Sequence, residues 1–106
     1  MLNVPQALEQ IVASVRQLSN ENREMLVRKD ILPALSALRL CATNETTPPL
    51  VTRSIETMAS WANYIATNPT SWRIYADRLG GHCRSLRILA KVQTMGGVYA
   101  AHERAY

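Results

Sequence analysis

The chain contains no phenylalanine, and only four glycines, two cysteines and two histidines among its 106 residues. Each shortage excludes something. Structural zinc takes four thiolate or imidazole ligands, usually in close pairs, whereas here the candidates stand dispersed at Cys41, His82, Cys83 and His102. Only His82 and Cys83 adjoin, and neighbours on a helix point about 100° apart, so no bound metal is expected. The cysteines are expected to be free thiols. Cys83, beside Arg84 near an expected helix start, is predicted to have a lowered pKa and modest reactivity.

Catalytic apparatus is equally short. There is no glycine-rich phosphate loop, no dinucleotide-binding fingerprint and no nucleophile elbow, and the acidic residues are scattered singly. No catalytic residue, cofactor or small-molecule substrate is therefore expected, and the chain reads as a non-enzyme. No apolar run approaches the roughly 18 residues that span a bilayer, so no membrane association is expected. Met1-Leu2-Asn3-Val4-Pro5 has neither the basic nor the apolar part of a secretory leader, which predicts a cytoplasmic protein. No segment alternates as a strand would.

What is present is helical. The apolar share of 47% and charged share of 19% are those of a globular chain, with length for one domain spanning residues 1–106. Asn3 and Pro5 suit a helix start, followed by a stripe of Leu8, Ile11, Val12, Val15 and Leu18 at spacings of three and four. The run Ser19-Asn20-Glu21-Asn22 ends or interrupts that helix. A second segment continues to about Cys41, with Asp30 as an expected N-cap that leaves Pro33 in the first turn. A kinked continuous helix is the alternative.

Residues 43–49 read as a loop, and a third stripe runs from Leu50 to about Ala66. Beyond a break at 67–70, with Thr70 or Ser71 as the cap, two short helices are expected, 72–79 and 82–95, parted by Gly80-Gly81. A last helix or tail follows at 98–106. The expected fold is all-α, a single compact bundle of four to six helices, those of the C-terminal half being short. Leu35, Ile55, Met58, Trp61, Leu86 and Leu89 are its expected core.

Charge and aromatics are polarised. Residues 1–70 carry six basic and six acidic side chains, so the net charge of +4 resides entirely in residues 71–106. All aromatic residues lie beyond residue 60. Within that basic third, residues 72–91 resemble a helix-turn-helix: Ala76 where helices would cross, Leu79 before the turn, Gly80 in it, then Leu86 and Leu89. Arg84, Arg87 and Lys91 would form the exposed face of its second helix.

The leading expectation is a non-catalytic binding or regulatory protein acting through protein–protein contacts, a second copy of itself among the partners. The alternative is a small helix-turn-helix protein reading double-stranded DNA with residues 72–91. Either way Arg73, Arg78, His82, Arg84, Arg87 and Lys91 are the candidate contact residues. Leu8, Ile11, Val15 and Leu18 are the candidates for self-association.

Overall fold

The structure, a computed structural model, describes residues 3–41 and 49–94, with side chains as far as Leu89. Of the loop expected at 43–49 only Pro49 is described, and it opens a helix; residues 43–48 and the expected last helix or tail at 98–106 lie outside the described residues. The fold is all-α, and no strand occurs among the described residues. Nor is any helix among them long and apolar enough to cross a membrane.

Helix α1 spans Val4–Arg16. Asn3 caps it by accepting from the Gln6 amide at 2.9 Å while the Gln6 side chain accepts from the Asn3 amide at 3.1 Å, and Pro5 sits in the first turn. The polar run 19–22 ends this helix outright. Asn22 locks the turn, donating from Nδ2 to the Gln17 carbonyl at 2.8 Å and accepting from the Ser19 amide at 2.7 Å.

Pro33 is accommodated by a device that periodicity does not reveal. Helix α2 (Arg23–Leu26) passes directly into a π-helical turn (Val27–Ile31) and then into α3 (Leu32–Cys41). Leu32 donates its amide to the Val27 carbonyl, five residues back. The wider turn relieves the clash between a proline ring and the preceding carbonyls, so residues 23–41 stay continuous. Asp30 is thus inside the π turn and caps nothing, and the continuous-helix alternative is the observed one.

Helices α4 (Pro49–Thr67) and α5 (Trp72–Thr94) complete the fold. Between them Asn68 Oδ1 accepts from the Thr70 and Ser71 amides at 3.4 and 3.2 Å. The turn is therefore organised by Asn68, where Thr70 or Ser71 was expected to act. The contacts Tyr64–Tyr75, Met58–Cys83 and Ser54–His82 set α4 and α5 antiparallel. Among the described residues the C-terminal half is accordingly two long helices, not several short ones.

One core draws on five elements: Leu8 and Ile11 from α1, Val27 and Ile31 from the π turn, Leu35 and Leu38 from α3, Met58 and Ile65 from α4, Leu79 and Leu86 from α5. Of the residues expected inside, Leu35, Ile55, Met58 and Leu86 are buried, while Trp61 and Leu89 are half-buried. The stripe proposed for self-association is used within the chain. Leu8 and Ile11 are fully buried, and Val15 and Leu18 pack half-buried against the same core, because α5 covers that side of α1.

Two polar ties hold the ends together. Arg23 donates from Nη1 to the Ile65 and Ala66 carbonyls at 2.8 and 2.6 Å, placing a cation at the C-terminal end of α4. Trp72 donates its indole N–H to Asn20 Oδ1 at 2.7 Å, fastening the start of α5 to the turn after α1.

Candidate functional site

The helix-turn-helix expected at 72–91 does not form. Helix α5 runs unbroken through Gly80 and Gly81, and no described glycine has a positive φ. The reason lies in packing. A Cβ placed on Gly80 would stand 3.3 Å from Val15 Cγ1, so Gly80 lets α5 approach α1. Ala76, Gly80 and Cys83 form a buried small-residue ridge along α5. The small side chain at 76 therefore serves a crossing with α1, where a hairpin within 72–91 had been expected.

The six basic candidates do not share one environment. Arg87 makes an ion pair with Glu9 of α1 at 3.3 Å, so it faces its own bundle. Half-buried His82 joins its Nε2 to Ser54 Oγ at 2.8 Å and meets the Trp61 ring edge-on, 5.6 Å between centroids. Arg73 lies 5.3 Å from the Trp72 ring centroid and Arg78 lies 5.7 Å from that of Tyr75. Arg84 is exposed, its guanidinium lying back near Gly80 and Gly81. The side chain of Lys91 lies outside the described residues.

Two arrangements invite a chemical reading, and neither is set up as a nucleophile. Ser54 Oγ lies 2.7 Å from the Leu50 carbonyl and 2.8 Å from His82 Nε2, and with its single hydrogen donated to the carbonyl it accepts from the Nε2–H tautomer of His82. That is the reverse of a histidine acting as base on a serine. Cys83 is fully buried and directs its S–H toward Met58 Sδ at 3.6 Å. Burial pushes its pKa up to about 12, against a smaller lowering by Arg84. The expected lowered pKa is corrected: loss of hydration for a thiolate outweighs the nearby cation. Among the described residues no group of three His, Cys, Asp or Glu could hold a metal ion.

A different constellation stands out on the outer side of α4 and α5. Tyr64 and Tyr75 stack at 4.7 Å, Arg78 covers Tyr75, and Trp61 follows one turn along α4 from Tyr64. Beside them Ile74 and Ile88 are 55% and 65% exposed, on the ridge of α5 that carries Arg78, Gly81 and Ser85. Arg78 borders this surface, and Arg53, Arg78 and Arg84 make no ion pair to any described residue.

No known protein family, curated protein or solved structure matches this chain. The surface must therefore be read from its own chemistry. Sequence reasoning picked out Arg78 but missed Tyr64 and Tyr75 as its companions and took Trp61 for core. The signal was the polarisation of aromatics beyond residue 60, which gains meaning only once α4 and α5 are seen to lie side by side. A second feature is an open cleft of about 260 Å³ between α1 and the start of α5, lined by Val15, Leu18, Trp72 and Ala76 with Arg73 and Asp77 at its edge.

Proposed function

We propose that this chain is a non-catalytic helical binding protein whose contact surface is the outer side of α4 and α5. The observation that carries the reading is the cluster of exposed Tyr64 and Arg78 with the partly exposed rings of Trp61 and Tyr75, in which Arg78 has no acidic partner among the described residues. Tyrosine, tryptophan and arginine are the residues enriched where protein partners bind most strongly. Such side chains bring a large apolar contact area and still satisfy their polar ends.

A protein partner suits this surface better than duplex DNA. Recognition of the major groove asks for a protruding helix whose basic residues are unobstructed, whereas Arg87 is engaged by Glu9. The buried thiol of Cys83, in no disulfide, suits a reducing compartment, and the cytoplasm is the proposed place of action.

The test is site-specific photocrosslinking in the native host. A photoreactive residue at Ser85, on the outer ridge of α5, is expected to yield a discrete protein adduct, identified by mass spectrometry. The same group at Lys29, on the π turn, should not. Equal adducts from both positions would sink the reading. So would saturable duplex DNA binding whose salt slope of about 0.9 per phosphate drops when Arg78 is replaced by Ala.

A further inference from the structure

Gly81 has no role in the fold that its neighbour has. A Cβ added there would meet only the far end of Arg84, Nη2 at 3.9 Å, while the helix would gain from most residues other than glycine. Its surroundings on the outer crest of α5 suggest a role outside the fold. Ile74 and Ile88 stand one heptad to either side of it, about 10 Å along the helix. Both are aliphatic and both face water, at 55% and 65% exposed.

The flanks of this crest are fixed by what each side of α5 touches. Gly80 and Arg87 meet Val15 and Glu9 of α1, while Tyr75 and His82 meet Tyr64 and Ser54 of α4. Helical phase then puts Asp77 and Arg84 on the α1 flank of the crest, and Arg78 and Ser85 on the α4 flank. All four are exposed, and Asp77, Arg78 and Arg84 make no ion pair with any described residue.

This pattern complements itself. A two-fold centred on Gly81 lays α5 antiparallel on its copy and sets each flank against the same flank of the other. Ile74 then packs on the partner's Ile88, and Ile88 on the partner's Ile74. On the α1 flank, Asp77 comes within one residue's rise, about 1.5 Å, of the level of the partner's Arg84, and symmetry makes that pair twice. The Arg84 guanidinium, lying back beside Gly81, has only to turn to reach it. On the other flank Arg78 faces the partner's Ser85, so no like charges oppose. At the crossing the two glycines let the helices approach closely, because that distance is set by the side chains at the contact. A helix of one charge from another protein would attract one of Asp77 and Arg84 and repel the other, whereas a second copy satisfies both. Resting on the proposed binding role of this surface, we infer that its partner is a second copy of the chain, docked crest to crest through α5 in a reversible dimer.

The experiment is sedimentation equilibrium of the full chain over a range of concentrations, where a monomer–dimer equilibrium is expected. Gly81→Leu should weaken dimerisation by at least about tenfold and leave the helical circular dichroism unchanged. The added side chain holds the two crests apart, yet within one chain it meets only the end of Arg84. Asp77→Arg and Arg84→Glu each set like charges opposite one another, so each should weaken its own homodimer to a similar extent. Mixed in equal amounts, these two variants should recover dimerisation as a heterodimer, because every charge then meets its opposite. A monomer at every concentration overturns the inference. So does a dimer indifferent to Gly81→Leu, or charge variants that do not recover on mixing. If the chain is monomeric and the Ser85 crosslink captures a different protein, the surface still binds protein and only the self-pairing is lost. A monomer with no Ser85 adduct removes both.

Discussion

The seam between α1 and α5 and the outer face of α5 each contain one glycine, and the two act differently. Gly80 lies in the seam, where Val15 leaves no room for a methyl group without yielding. Gly81 lies on the outer face, where only the far end of Arg84 is near. A small residue inside a helix thus has two physical meanings, contact already made within the chain and space left outside it. The surroundings differ in the same sense: Glu9 engages Arg87 across the seam, whereas Arg78 on the outer face has no acidic partner among the described residues.

The comparison breaks first, if it is wrong, at the paired positions Leu86 and Ile88. Leu86→Ala removes a fully buried side chain and should cost about 2–5 kcal/mol in denaturant unfolding. Ile88→Ala, on the outer face, should stay within about 0.5 kcal/mol. Comparable losses at the two sites would mean that the outer ridge is part of the core.

A second test uses Arg23, whose Nη1 serves two carbonyls at the end of α4 and whose Nε is buried without a partner. Replacement by Met keeps the stem and removes the charge-assisted bonds, for an expected loss of about 1.5–3 kcal/mol. Arg78 on the outer face, changed likewise, should leave stability nearly unmoved.

The buried thiol adds a pH dependence peculiar to the interior. Cys83 holds its proton to about pH 12, while the unfolded chain releases it near the ordinary value of 9.0. Below about pH 9 both states are protonated and the thiol adds no slope. Between pH 9 and 12 the folded state alone keeps the proton, so stability should fall as pH rises, by up to about 1.4 kcal/mol per unit. Comparing the alkaline unfolding profile with that of Cys83→Ala isolates this slope. Identical profiles would refute it.

The glycines themselves give the smallest and sharpest contrast. Gly81→Ala should raise stability by about 0.5–1 kcal/mol, the ordinary gain for alanine over glycine within a helix. Gly80→Leu should lower it by about 1–3 kcal/mol, because Val15 must be displaced. Two changes of the same sign would remove the distinction between seam and outer face.

Much of this was legible in the residues alone. Recurrence at three and four positions suffices to dictate helices, because only an amphipathic helix buries Leu8, Ile11, Ile55, Met58 and Leu86 while leaving the residues between them in water. The cap at Asn3 and Gln6 is local chemistry, complete within one turn, and so is the break before Trp72. The excess of arginine and of aromatic rings beyond residue 60 is likewise countable from the sequence. Tertiary structure decided everything that depends on which surfaces meet. Glycine lacks a Cβ whether the chain must turn or another helix must approach, so Gly80-Gly81 could be assigned only once Val15 was found against Gly80. Pro33 was settled by the π turn before it, a change of hydrogen-bond register that leaves no mark on apolar spacing. Cys83 owes its raised pKa to burial among other helices, and Arg87 its engagement to a glutamate on α1. Helix formation depends on neighbours within a turn, whereas a close helix seam, a buried thiol and an unpaired arginine are properties of residues far apart in the chain.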